Sequence, residues 1–219
     1  VMNTKQYIYL ALFFGLGSMD ASAEFMGKLV LEPREKPLYE VMENFSYKDK
    51  KGIVWTTTKG YKTNGASIPR LLWPVIGDPY GGGYIKSAVI HDQACDEKKR
   101  TWQDTHRVFF DAMLEEGVSP TRAYIMYAAV YRYGPKWELK TISFNKKPKF
   151  QMNQSACPMC KVVETLSIDE TETLRIIPVD IQSTGELTDE KLRSIEREVQ
   201  RLEASGPIKV KDLEDLKID

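Results

Sequence analysis

In this 219-residue chain the residue pair best suited to chemistry is His91-Asp92. Imidazole is the commonest protein ligand for metal ions, and an adjoining carboxylate adds a hard oxygen donor. Neighbours on a helix point about 100° apart, so both can serve one site only if it lies between their directions. Asp104, in the helix expected next, is the third candidate. A His91-Asp92-Asp104 cluster could hold a divalent metal, zinc or manganese, and activate water for hydrolysis. The same three groups could work without metal as a general base and its orienting carboxylates. Each also has a structural reading. Asp104 could cap its helix, Asp92 could pair with Arg100, and His91 could be a core histidine bonded to Ser67 or a backbone carbonyl.

The three cysteines offer a second set of donors. Cys157 and Cys160 have the spacing of a metal knuckle or a redox pair. Cys95 follows His91 by four positions and so shares its helical face. His91, Cys95, Cys157 and Cys160 could therefore make a four-ligand zinc site. The alternative is a local Cys157–Cys160 disulfide with Cys95 buried as a small hydrophobe. No strand and helix flank the Cys157-Pro-Met-Cys160 segment, which argues against a thioredoxin-type role.

Thr63, Asn64, Gly65, Ala66 and Ser67 form a loop of small residues and hydroxyls, which lets backbone amides approach a ligand closely. It reads equally well as a plain turn from sheet to helix. Ser67 as a nucleophile would need His91 as its base, and the Gly-flanked serine elbow is absent.

The elements that must position these residues follow from pattern. Residues 25–31, 38–47 and 53–58 are rich in aromatic and β-branched residues and read as strands. A helix is expected from Ile85 to about Cys95. Thr101 and Asp104 open a second helix with a capping-box-like pattern, and Gly117 stops it. Ser119-Pro120 starts a third helix that Gly134-Pro135 ends. Met126, Tyr127 and Val130 are its inward stripe. Residues 146–155 read as a polar linker, and residues 174–181 as a strand that Pro178 confines to an edge. Thr188 caps a last amphipathic helix carrying Leu192, Ile195, Val199 and Leu202, which Gly206-Pro207 terminates.

Residues 2–23 have the three parts of a secretory signal: Lys5 ahead, an apolar run from Tyr7 to Leu16, and Ala21-Ser22-Ala23 as a small-residue cleavage site. The apolar run is too short for a stable membrane anchor, which needs roughly 20 residues. The expected product is a periplasmic or secreted chain starting near Glu24. Its acidic and basic residues balance, as they do in the full sequence with 31 of each. That excludes a general nucleic-acid binder, which needs a basic excess.

The stretch from Gly60 to Gly134 resembles the bacterial and phage domain-of-unknown-function family numbered 1353. Gly60-Tyr-Lys-Thr-Asn-Gly-Ala-Ser-Ile-Pro-Arg70 looks like the family's G-F-x-T-D-G-A-S-x-P-R loop, followed by Leu72-Trp73-Pro74. Ala88-Val-Ile-His-Asp92 looks like its A-x-x-H-D helix, and Arg100, Asp104, Gly117-Val118 and Met126-Tyr127 fit downstream. Asn64 stands where the family has Asp, and Gln93-Ala94-Cys95 replaces an aromatic-rich run. The resemblance covers roughly residues 25–137 and names a family without an established reaction.

The expected architecture is α+β: a small antiparallel sheet on about three helices, with an α/β C-terminal extension. Residues 1–23 are the signal, 24–142 the domain, and 143–219 the linker, the CxxC segment and the extension. Two functional classes follow. One is a non-catalytic periplasmic protein-binding protein, for example an immunity protein against an envelope-targeted toxin. The other is a metal-dependent hydrolase of envelope material, centred on His91, Asp92 and Asp104.

Overall fold

The computed structural model describes residues 22–35, 38–63, 83–144, 173–182 and 185–218. Asn64 to Ser67, Cys157, Cys160 and residues 1–21 lie outside these ranges, and the expectations placed on them are not addressed by the structure.

The β-rich N-terminal third forms two small antiparallel sheets where the sequence suggests one. Strands β1 (Glu24–Met26), β4 (Phe45–Lys48) and β5 (Val54–Thr57) make the first, in the order β1-β4-β5. Strands β2 (Leu31–Pro33), β3 (Tyr39–Val41) and β6 (Lys62–Thr63) make the second, in the order β2-β3-β6. The apolar runs are cut into short strands by turns the residues themselves enforce. Gly27 sits at φ 84°, a conformation that glycine adopts without steric cost. Asp49 folds the β4–β5 hairpin by accepting the amides of Lys51 and Ile53 on one carboxylate oxygen.

Helices α1 (Ile85–Glu97), α2 (Trp102–Glu116) and α3 (Pro120–Tyr133) follow. Thr101 caps α2 as its position suggests, its hydroxyl accepting from the Asp104 amide, and Gly117 closes it at φ 93°. Helix α1 has no such local cap. Its first-turn amides at Lys86 and Ser87 donate to the carboxylate of Glu116, at the far end of α2. This is a tertiary solution to the orphan amides that every helix N-terminus presents.

Strand β7 (Lys136–Phe144) pairs antiparallel with β8 (Thr173–Ile181) as a separate two-stranded ribbon. Pro178 lies in β8, which has no second neighbour among the described residues, in keeping with its lost donor. Helix α4 (Asp189–Ser205), capped by Thr188, and a short α5 (Val210–Glu214) complete the chain. Leu192, Ile195 and Val199 are buried together with Phe109, Met126 and Tyr127. The C-terminal helices are therefore part of the main helical core. A second cluster of Phe45, Tyr47, Trp55, Ile90, Val108 and Ala112 joins the first sheet to α1 and α2. The architecture is α+β, and α1 sits between sheet and helices, with its residues from Ser87 to Gln93 all buried. Among the described residues no helix is long and apolar enough to cross a membrane.

Candidate functional site

Helix α1 carries two rows of functional groups, set by its own 3.6-residue turn. His91 and Cys95 make one row and face α2. Asp92 and Asp96 make the other and face the strand end that leads into the small-residue loop. There, Thr63 donates its hydroxyl to Asp92 Oδ2 at 2.5 Å, and Tyr61 donates to Asp96 Oδ2 at 2.7 Å. Gln93 ties the same helix to the residue that follows β5, its side-chain oxygen accepting the Thr58 amide at 2.8 Å.

The first row meets the second histidine of the chain. His91 Nε2 lies 2.9 Å from His106 Nδ1, and Cys95 Sγ lies 3.4 Å from the same His91 nitrogen. One donor atom from each of His91, Cys95 and His106 falls within 4.8 Å of the others. On the far side of its ring, His106 Nε2 is 3.0 Å from the Pro135 carbonyl. A carbonyl oxygen only accepts, so Nε2 carries the hydrogen and Nδ1 presents its lone pair to His91.

The trio is sealed. His91 and His106 are 0% exposed and Cys95 is 5% exposed. Phe109 stacks on His91 at 4.7 Å between ring centroids, and Trp102 and Trp137 lie against His106 at 5.6 and 6.4 Å. Burial disfavours every charged form here. It pushes His91 well below the usual imidazole range, with His106 adding to the effect. It lowers His106 to about 4, against an opposing pull from the Pro135 carbonyl. It raises the Cys95 thiol, helped by the charges of Asp92 and Asp96. Both imidazoles are neutral and the thiol is protonated at neutral pH, so the His106 Nδ1 lone pair, the His91 Nε2–H and the Cys95 sulfur meet at a common point. This His-Cys-His trio can bind a metal ion.

The sequence-derived site is only partly assembled. His91 and Asp92 sit on one helix, in different rows. Asp104 does not join them. Its side chain is 49% exposed on the first turn of α2, where it accepts from the Thr101 hydroxyl at 2.7 Å and lies 3.6 Å from Lys51 Nζ. The cap of α2 is Thr101, and Asp104 supports it from the first turn by accepting its hydroxyl. Asp92 takes the Thr63 hydroxyl as a partner. The proposed partner Ser67 lies outside the described residues; among those described, His91 meets His106 and Cys95 and no carbonyl. Cys95 is a free thiol and stays beside His91 as the four-residue spacing requires.

Sequence reasoning overlooked His106. The available signal was scarcity: the chain has only two histidines and three cysteines. His106 lies one helical turn inside α2, after Trp102, where it reads as a core position.

Residues 39–130 match the family described as "Protein of unknown function (DUF1353)". Two relatives come from Sinorhizobium fredii (strain NBRC 101917 / NGR234). "Uncharacterized protein y4iH" is 51% identical over 94 residues, which is 43% of this chain and 39% of that protein. "Uncharacterized protein y4jT" is 38% identical over 151 residues, 65% of this chain and 45% of that protein. The chain thus spans less than half the length of either relative. No solved structure matches it. The match contains α1, α2 and most of α3, and so the whole trio of His91, Cys95 and His106.

Proposed function

We propose, for a chain whose residues 39–130 carry this unknown-function domain, that it is an exported, non-catalytic protein-binding module. The observation that carries this reading is the burial of His91, Cys95 and His106 together with the separation of Asp104. A general base or a metal-bound water must reach its substrate, and the aromatic shell around the trio keeps substrate-sized molecules away.

A surface cleft supports the reading. It has a volume of about 380 Å³ and is lined by Val54, Trp55, Thr58, Ala94, Lys99 and Arg100 among others. Val54 is an exposed aliphatic residue, and the Arg100 guanidinium lies 5.1 Å from the Trp55 ring. Tryptophan and arginine are the residue types that dominate protein–protein hot spots. Balanced charge and a signal-like N-terminus fit a protein partner outside the cytoplasm. Within that class, an immunity protein that neutralises an envelope-targeted toxin is the specific form we favour.

The second reading, a metal-dependent hydrolase of envelope material through His91 and Asp92, draws its support from the metal-capable trio. One experiment separates the two. Mature protein is assayed for hydrolysis of purified cell-wall material with zinc or manganese added. It is also tested for binding to envelope-targeted enzymes of known identity, alongside Val54→Asp and Arg100→Glu. The binding reading expects no turnover and at least tenfold weaker partner binding in both variants. Metal-dependent hydrolysis that is abolished by a chelator would replace it with the hydrolase.

A further inference from the structure

We propose that His91, Cys95 and His106 form a buried structural zinc site that clips α1 to α2 and, through Pro135, to the start of β7. Three observations converge on it.

The donors are the ones zinc prefers: two imidazole nitrogens and one thiolate sulfur. Their spacing is close to what the ion needs. Tetrahedral zinc with ordinary bond lengths puts two nitrogens about 3.3 Å apart, and a nitrogen and a sulfur about 3.6 Å apart. The separations from His91 Nε2 are 2.9 Å and 3.4 Å, and all three donor atoms lie within 4.8 Å of one another. The thiolate also selects the metal. Manganese favours oxygen donors, and none of the three atoms is one.

The outer shell is the kind that metal-bound histidines have. Such a histidine donates its second ring N–H to a carbonyl or carboxylate, which fixes the tautomer and the ring orientation. His106 makes that bond to Pro135 and turns its Nδ1 lone pair inward.

Hydrogen bonding sets the tautomers of the metal-free protein. With His106 Nδ1 as acceptor, His91 Nε2 must be the donor. His91 Nδ1 then holds an unused lone pair, and it has no partner among the described residues although it is completely buried.

The charge can be balanced. Zinc brings two positive charges; the Cys95 thiolate cancels one, and the buried Asp92 carboxylate lies near enough to act on the Cys95 sulfur. Binding forms two Zn–N bonds and one Zn–S bond. The thiol proton leaves to solvent, and the His91 proton moves from Nε2 to Nδ1. A fourth position remains for water or a further donor.

The test uses the full chain, purified in reductant, stripped with chelator and reloaded. Wild type is expected to retain one zinc per chain and to unfold at higher temperature when zinc is present. Cobalt(II) in place of zinc should give a thiolate-to-cobalt charge-transfer band, a readout that needs no variant. Cys95→Ala should remove that band, and His106→Gln should weaken zinc binding by at least tenfold, given that even outer-shell changes cost about 10–100-fold. The double variant Cys157→Ser/Cys160→Ser should keep the metal, the band and the thermal shift. The proposal is overturned if wild type takes up no zinc or cobalt, or if the double variant loses the metal while Cys95→Ala keeps it.

Discussion

The Thr63 hydroxyl donates to Asp92 at 2.5 Å, so the last strand before the small-residue loop is fastened to the helix that carries His91. Both residues are buried, at 2% and 4% exposure. The bond links the two motifs that are most distinctive in the sequence. A hydrogen bond to a charged group contributes about 1.5–3 kcal/mol. Thr63→Val should destabilise the protein by that order, whereas Thr63→Ser should stay within about 1 kcal/mol of wild type because it keeps the hydroxyl. Urea unfolding of the three proteins measures both. Equal losses for Val and Ser would mean that the methyl packing of Thr63 matters and the hydroxyl does not.

Glu116 does for α1 what a local cap does for most helices. Its carboxylate accepts from the amides of Lys86 and Ser87 and from the Ser87 hydroxyl, at 2.9–3.0 Å. Glu116→Ala should cost about 1–2 kcal/mol, the range of a lost N-cap. The damage should concentrate at the start of α1. Amide exchange at Lys86 and Ser87 should accelerate more than at Ile90 or His91, and a uniform increase along the helix would contradict this role.

Gly134 ends α3 where no side chain fits. Its backbone is ordinary, at φ −71°, so conformational freedom is not the reason for glycine. A Cβ there would lie 2.3 Å from the Val130 carbonyl oxygen and 3.2 Å from His106 Cε1. Gly134→Ala should cost about 1–3 kcal/mol through overpacking. It should also disturb the aromatic shell of His106, read as a change in tryptophan fluorescence from Trp102 and Trp137. An alanine variant as stable as wild type, with unchanged emission, would show that α3 yields easily at this end.

Acid should loosen the metal-free protein. His106 faces His91 on one side and the Pro135 carbonyl on the other, with Lys136 adjacent, and its imidazole is lowered to about 4. The unfolded histidine titrates near 6.5. Between those values the unfolded chain binds more protons than the folded one, so stability falls as pH drops. The neutral pair contributes fully above about pH 6.5 and its contribution is lost progressively toward pH 4. Chelator-treated protein at pH 5 should be on the order of 2 kcal/mol less stable than at pH 7.5 from His106 alone. Denaturant midpoints at the two pH values give the answer, and a midpoint that does not move would mean the pair is protonated with little penalty.

Local sequence determined where α2, α3 and α4 begin and end. Thr101, Gly117, Pro120, Thr188 and Gly206 each act within one turn of themselves, so their effect is readable without knowing the fold, whereas Ser119 precedes α3 without a side-chain cap bond. The four-residue spacing of His91 and Cys95 likewise placed both on one face, and the loop and helix motifs identified the family segment. Tertiary structure alone decided what those groups meet. The Glu116 cap of α1, the partnering of Thr63 with Asp92, and the arrival of His106 opposite His91 join residues 15 to 30 positions apart. Such contacts depend on how α2 and β6 pack against α1, which no local pattern encodes. The same packing turned Asp104 out to solvent, because its place in the first turn of α2 fixes its direction once Phe109 and Met113 are buried. It also drew the C-terminal helix into the core, since Leu192, Ile195 and Val199 bury their apolar stripe against α3.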